Sequence, residues 1–409
     1  MAAPKRQGAT PAAAESPPPG SAGEVLLAFL RLGLTSFGGP IAHLGYFRAE
    51  FVERRRWLDD RSYADLVALT QFLPGPASSQ TGFALGWLRA GWRGALAAWA
   101  GFTLPSAIAM ILFALGIARS IALASSGAVH GLKIVAVAIV AQAVWTMARS
   151  LCPDWRRRAL AVLAALLAFA LPSALGQVGA IAACAALGRL LLTLPHRESV
   201  PHRSFGVSTT TAAASLALFA LLLLGLPLAA ATASPLLQHL DGFYRAGALV
   251  FGGGHVVLPL LQSVVVPGGA VSNADFLAGY GAAQAVPGPL FTFAAYLGAV
   301  MSGPLTGWLG GLVFLAAIFL PGMLLVVGAL PFWDRLRSRD GVQSAMAGIN
   351  AGVVGILAAA WVDPVFTSSV HTAADLLLAL ACFGLLLFAR LSPVWVVGLA
   401  ALAASIIAG

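Results

Sequence analysis

The chain has 409 residues, of which 59% are hydrophobic and only 10% charged. A soluble protein of this size needs far more polar surface, and apolar windows of about 20 residues, enough to cross a bilayer core, recur along the whole length. The net charge of +9 lies in short loops between those windows, where it sets membrane orientation, so a nucleic-acid partner is excluded and the lipid bilayer is the expected surroundings.

Residues 1–22 are rich in Ala, Pro and Ser, carry Lys5 and Arg6, and adjoin no apolar core. This composition predicts a disordered tail rather than a cleavable signal. Six apolar segments follow at roughly 24–46, 62–88, 92–118, 126–150, 159–174 and 177–194, forming a first repeat over 23–194. A polar loop at 195–207 and one unmatched apolar segment at 208–232 come next. Six further segments lie at roughly 239–265, 273–301, 305–331, 341–362, 371–389 and 393–408, and form a second repeat over 238–409. None alternates in polarity as a barrel strand would.

The two sixes are copies. Phe29-Leu30-Arg31-Leu32-Gly33 followed by Phe37-Gly38-Gly39 returns 214 residues later as Phe243-Tyr244-Arg245-Ala246-Gly247 followed by Phe251-Gly252-Gly253. Gln71-Phe72-Leu73-Pro74-Gly75-Pro76 returns 213 residues later as Gln284-Ala285-Val286-Pro287-Gly288-Pro289. Trp92 matches Trp308 and Pro105 matches Pro321, both at an offset of 216. An even number of segments per copy and one segment between them invert the second copy. The expected fold is an all-α polytopic membrane protein. It has two inverted-topology repeats with broken or re-entrant helices, plus one linking transmembrane helix.

The first two segments of each copy carry the breaks. Gly38, Gly39 and Pro40 interrupt the first, and Pro74, Gly75 and Pro76 the second; Gly252, Gly253, Pro287, Gly288 and Pro289 do the same in the second repeat. Proline removes a backbone donor and disfavours helix in the residue before it. In lipid such a break needs protein or water around it. If all thirteen segments cross, fifteen loop Lys/Arg fall inside and six outside; if the first two of each half re-enter, the division is twenty and one, Arg119 alone. The positive-inside tendency favours the second arrangement: nine crossings and four re-entrant or broken segments, with the N-terminus cytoplasmic and the C-terminus outside.

Charges inside the apolar segments mark the expected site. Arg31 and Arg245 each precede a Phe-Gly-Gly break, and arginine at membrane depth costs roughly 3 kcal/mol unless it faces a partner or a wet cavity. Its fork of donors suits an oxyanion. Pro76 and Pro289 suit first helical turns, whose free N–H groups attract anions, with Ser78, Ser79, Gln80 and Thr292 following as donors. Gln71 and Gln284 precede the two Pro-Gly-Pro turns. Lys133 matches Asn350 across the repeat, a cation against an amide. His43 and His255 follow the glycine breaks and are possible proton carriers. Asp59, Asp60, Ser272 and Asn273 read as helix caps, and Trp57, Trp92 and Trp308 as interface anchors. Carboxylates are nearly absent from the apolar segments, so the expected substrate is an anion. The three cysteines, Cys152, Cys184 and Cys382, form no CxxC or Cys/His cluster. Neither a metal, a cofactor nor an enzyme's nucleophile is expected.

These phrases are similar to those of a known family. Arg31 with Phe37-Gly38-Gly39-Pro40, Arg54-Arg55-Arg56-Trp57-Leu58, the two Pro-Gly-Pro turns and Phe251-Gly252-Gly253-Gly254-His255 resemble the chromate ion transporter family, in its long two-domain bacterial form, over about residues 24–409. The resemblance implies chromate efflux across the bacterial inner membrane and chromate resistance. Sulfate or another oxyanion, and a channel on the same scaffold, stay open as alternatives, since charge alone discriminates poorly between tetrahedral dianions. Substrate would be held by Arg31, Arg245 and Lys133, with the backbone beside Gly38, Gly39, Gly75, Gly252, Gly253 and Gly288. Such folds leave room for a homodimer.

Overall fold

The computed structural model describes residues 20–37, 39–119, 127–171, 174–193, 206–231, 234–251, 254–333 and 340–408. Most of the tail, most of the polar loop, and Gly38, Gly252 and Gly253 of the two breaks lie outside the described residues. What is described is helical, with no strand among it.

The first segment is two helices, α1 (Ala22–Thr35) and α2 (Gly39–Phe47), the latter running into a π-helical turn at Arg48–Arg54. At 14 residues, α1 rises only about 21 Å, too little for a hydrocarbon core of about 30 Å. The chain turns back instead. The Phe29 ring of α1 stacks on Phe51 with centroids 4.8 Å apart, and Arg55 at the end of the return arm lies 3.7 Å from Glu24 at the start of the entering one. The second segment repeats the manoeuvre with α3 (Asp60–Phe72) and the first arm of α4 (Ala77–Arg119). Thr70 and Thr81 hydroxyls, 2.7 Å apart, pin the two arms beside the Pro-Gly-Pro turn. Arg89, at the far end of that arm, sits 3.0 Å from Glu24 and 5.4 Å over the Trp57 ring. The open ends of both hairpins therefore lie together, at Glu24, Arg55, Trp57 and Arg89.

Trp57 is a correction. It is buried, stacked on Phe51 at 4.4 Å under the two arginines, and plugs the base of the hairpins rather than facing lipid. Trp92 and Trp308 are exposed at helix starts, as an interface anchor requires. Asp59 and Ser272 cap their helices, accepting from the amides of Ser62 and Asp275 at 2.9 and 3.0 Å. Asp60 pairs with Arg48, and Asn273 accepts from Gln262.

At Ala90–Gly91 α4 reverses, and its second arm runs the full depth. Beyond it come α5 (Gly127–Leu151), α6 (Trp155–Ala170), α7 (Ala174–Leu191) and the linking helix α8 (Thr209–Ala230). The second repeat gives the hairpins α9 (Pro235–Leu249) with α10 (Val257–Val265) and α11 (Asn273–Ala283) with α12 (Phe293–Val300). The chain closes with α13 (Gly307–Ala329), α14 (Asp340–Ala360), α15 (Ala373–Leu387) and α16 (Pro393–Ala408).

Inversion is visible in the contacts. The second arm of α4 and its counterpart α13 lie antiparallel: Trp99 meets Phe319 with ring centroids 5.9 Å apart, and twelve residues on Ile111 meets Gly311. The copies also exchange partners. The last two helices of the second repeat, α15 and α16, pack on α5, while α6 and α7 pack on α14. Each half thus completes the other's core.

Among the described residues, five helical stretches are long and apolar enough to cross a membrane, 77–116 (α4, whose second arm follows the reversal), 127–151, 209–230, 307–332 and 341–366. The paired helices α6 with α7 and α15 with α16 have 16, 18, 15 and 16 residues, at the lower limit for crossing.

All three cysteines are buried, and burial pushes the Cys152 thiol up to about 11, so an added cysteine can be labelled against little background. We expect Glu53→Cys and Arg93→Cys to react with a membrane-impermeant maleimide from one side of the membrane, and Ser302→Cys only from the other. Labelling of residues 53 and 93 from opposite sides would exclude the re-entrant arrangement.

Candidate functional site

In each repeat the two backbone breaks meet the breaks of the other repeat. Gly75, the glycine of the first Pro-Gly-Pro turn, donates its N–H to the carbonyl of Val250, 2.7 Å away, just before the second repeat's Phe-Gly-Gly. Gly288, its counterpart, donates to the carbonyl of Ser36, 2.9 Å away, just before the first repeat's Phe-Gly-Gly. Both glycines hold positive φ, +124° and +104°, where a side chain is strained. Both also need the space: a Cβ on Gly75 would stand 3.2 Å from the Cα of Gly322 on α13, and one on Gly288 would stand 2.8 Å from Ser106 Oγ on α4. Ser106 and Gly322 are themselves repeat counterparts, each one residue after the matched prolines 105 and 321. The centre of the molecule is therefore a pseudo-symmetric knot of four breaks.

The knot is symmetric in backbone and asymmetric in side chains. After the first Pro-Gly-Pro turn α4 begins with Ala77, Ser78 and Ser79, and its first helical bond is Gln80 N–H to Pro76 O at 2.9 Å. The three preceding amides have no acceptor within the helix, and they carry the positive end of its dipole. Ser78, Ser79 and Gln80 of this turn are buried, as are Ser36 and His43, which reach it by hydrogen bonds, and Thr103 on the second arm of α4. Gln80 ties the turn to the other repeat, donating through Nε2 to Pro74 O at 2.8 Å and Gly322 O at 3.1 Å. His43 lies between Ser36 O, 3.2 Å from Nε2, and Ser78 Oγ, 3.4 Å from Nδ1, with its ring edge-on to Phe102 at 5.1 Å.

Four atoms here have no partner among the described residues: Ser36 Oγ, Ser79 Oγ, Gln80 Oε1 and Thr103 Oγ1. A buried polar group left unmade costs about 1–3 kcal/mol, and native proteins rarely keep several together without a ligand or water to meet them. Three of the four are hydroxyls able to donate: Ser79 lies in the first turn of α4, Ser36 is tied to that turn through His43, and Thr103 follows the Phe102 that packs on His43.

The second Pro-Gly-Pro turn offers no such seat. Leu290, Phe291 and Phe293 follow it, and the Thr292 hydroxyl is already donated to Pro289 O at 2.9 Å. His255 instead pairs with Tyr280, Nδ1 to OH at 2.7 Å.

The predicted cations are not brought together at the seat. Arg31 lies exposed on α1 among Leu27, Leu30 and Leu34, on the face away from the buried Phe29 and Gly33. Arg245 forms an ion pair with Asp241, one turn earlier on α9, so a buried carboxylate does occur in an apolar segment. Lys133 on α5 and Asn350 on α14 are half-buried; Asn350 Oδ1 has no partner among the described residues. Gln284 is half-buried with a free Nε2. Gln71 is exposed on α3, whereas α11 is buried from Phe276 to Ala283 and packs on α5. Gly39 begins α2 at φ +77° with Pro40 next, and Pro287 and Pro289 flank Gly288. Sequence reasoning missed Ser36, Thr103, Ser106 and Asp241. The first three stand within two residues of a break or a matched proline, which was the available signal.

Comparison with known proteins agrees with this architecture. The family model described as chromate transporter matches residues 23–189 and again 237–405, one copy per repeat. The chain is 31% identical over 365 residues to the chromate transport protein of Pseudomonas aeruginosa, covering 87% of this chain and 84% of that one. It is 26% identical over 384 residues to the chromate transport protein of Cupriavidus metallidurans, covering 93% and 91%. To a probable chromate transport protein of Synechococcus elongatus it is 28% identical over 337 residues, covering 81% of each. No solved structure matches it.

Gly288→Ala should lower the thermal midpoint, with a cost of about 1–3 kcal/mol from positive φ and the clash with Ser106. Gly288→Ala combined with Ser106→Gly should recover part of that loss, because the first repeat already pairs a glycine with Gly322. Thermal unfolding in detergent checks both; strictly additive effects would mean that the two positions do not touch.

Proposed function

The chain belongs to the chromate transporter family, and we propose that it exports a tetrahedral oxyanion, chromate in the first place, from a seat at the start of α4. The observation that carries this reading is the unpartnered, buried Ser79 hydroxyl in the first turn of α4, with the unpartnered, buried Ser36 tied to that turn through His43. Free amides at residues 77–79 and the helix dipole supply the electrostatic attraction, and the hydroxyls supply directed donors. Because only the first Pro-Gly-Pro turn is followed by donors, one anion is carried at a time. Lys133, half-buried on α5 with its repeat counterpart neutral, is the cation proposed to serve the seat across the central space. Arg245 already has a counter-ion in Asp241.

Movement follows from the packing. α11 is buried against α5. α3, its counterpart, leaves Gln71 exposed. The alternating access proposed here exchanges these two packings between the inverted halves within an inner membrane. Export of an anion is favoured by the inside-negative potential, at about 2.3 kcal/mol per charge per 100 mV. Chromate resistance would follow from that efflux.

A second reading puts the anion between Arg31 and Arg245, and the identical placing of the two arginines before their breaks favours it. Chromate uptake into inverted vesicles separates the readings. Loss of one donor to a charged ligand costs about 1.5–3 kcal/mol, so Ser79→Ala should weaken apparent affinity by roughly 10- to 100-fold, while Arg31→Gln stays near wild type. Wild-type behaviour of Ser79→Ala together with loss of transport in both Arg31→Gln and Arg245→Gln would move the site to the arginines.

A further inference from the structure

The hydrogen bonds of His43 contain a directional constraint. Ser36 O is a backbone carbonyl and can only accept, so the proton of the neutral imidazole sits on Nε2. Nδ1 then carries a lone pair and must accept from the Ser78 hydroxyl, 3.4 Å away. In this state the Ser78 hydroxyl hydrogen points at His43 and away from the α4 start, and the oxygen's lone pairs are what remains for an anion there. Protonation of the imidazole makes Nδ1 a donor to Ser78 Oγ. The Ser78 hydroxyl hydrogen is then released to donate elsewhere, beside the unpartnered Ser79 Oγ.

We propose that His43 is a positioning residue which takes up one proton when the oxyanion binds, turning the Ser78 hydroxyl from an acceptor into a donor toward the seat. The inference rests on the anion seat proposed above. Ser36 O also receives the Gly288 amide, so the same carbonyl joins the imidazole to the other repeat's Pro-Gly-Pro turn. Proton uptake is thereby placed at the junction where the halves must move against each other. The groups packed on the ring are Ser36 from α1, Ser78 from the first arm of α4 and Phe102 from its second arm, none of them titratable. Of the charged side chains of its own hairpin, Glu24, Arg48, Glu50, Glu53, Arg54 and Arg55 are held in ion pairs at the far end, Arg56 stands beside them, and Arg31 is exposed on the outer face of α1. The anion would travel with one proton, so its export would move one negative charge fewer per dianion.

Linkage makes this measurable: one coupled proton changes affinity by at most tenfold per pH unit, and anion and proton favour each other reciprocally. Chromate binding to the purified full chain in detergent is measured from about pH 6 to pH 8, in wild type, His43→Gln and Ser78→Ala. Glutamine can still donate to Ser36 O and accept from Ser78, but it cannot take a proton. Chromate's own protonation is common to all three proteins and cancels in the comparison. Wild type is expected to gain affinity on acidification relative to both variants, by up to tenfold per unit, and to take up protons from weak buffer on binding in excess of His43→Gln. Parallel pH profiles in wild type and His43→Gln would overturn the proposal while leaving the seat intact. If His43→Gln fails to fold, Ser78→Ala decides: a wild-type slope overturns it and a flattened slope supports it. Failure of the seat itself reads differently, as Ser79→Ala binding chromate like wild type at every pH.

Discussion

Two backbone hydrogen bonds hold the centre of this molecule together, and most of the architecture follows from the need to make them. A helix broken at membrane depth exposes amides and carbonyls that lipid cannot satisfy. Here the breaks satisfy one another, Gly75 N–H with Val250 O and Gly288 N–H with Ser36 O, and in both cases donor and acceptor come from opposite repeats. Neither half is complete alone. The same dependence appears farther out, where the closing helices of each repeat cover a helix of the other. Re-entrant arms, inverted copies and exchanged partners are three aspects of one solution to the cost of unpaired backbone in hydrocarbon.

Symmetry of the backbone leaves the side chains free to differ, and the difference locates the chemistry. Both Pro-Gly-Pro turns use a glycine at positive φ packed tightly against the opposite long helix. Only the first continues into Ser78, Ser79 and Gln80; the second continues into Leu290, Phe291 and a threonine whose hydroxyl is already spent. Duplication accounts for the shared turn, and divergence after it produced one polar helix start and one apolar plug. The apolar member stabilises the junction through Phe291 against Phe319 and Phe293 between Phe276 and Tyr296. The polar member carries the unmet hydroxyls.

Much of the fold was legible because its signals are local or periodic. Glycine and proline mark breaks by their own geometry, apolar length marks depth, and arginine in loops marks sides. Their agreement placed the segments closely, and the first two of each repeat fold as hairpins. The repeat offset also identified Gly75 and Gly288 as equivalent. Partners were not legible. No local pattern says that Gly75 reaches Val250 rather than a residue of its own repeat, or that Arg245 is neutralised by Asp241, a pair hidden because the first repeat has Leu27 at the matching position. Trp57 misled for a related reason: beside three arginines it reads as an interface residue, and only the folding back of Arg55 and Arg89 over it makes it core.

Weighing buried charge directs attention to the arginines, and weighing unmet hydroxyls directs it to the start of α4. Charge is conspicuous in an oily chain, while a serine before a glycine pair is not. Yet an arginine on an outward helix face can rest its stem on leucines and reach polar headgroups, at modest cost. A buried hydroxyl has no comparable escape and must find a partner within reach. By that criterion Ser36, Ser79 and Thr103, each at most 4% exposed, constrain a ligand more tightly than Arg31 does. Ser79 Oγ and Ser36 Oγ, both unmet, lie beside the hydrogen bond from Gly288 to Ser36 O, where the two halves are tied.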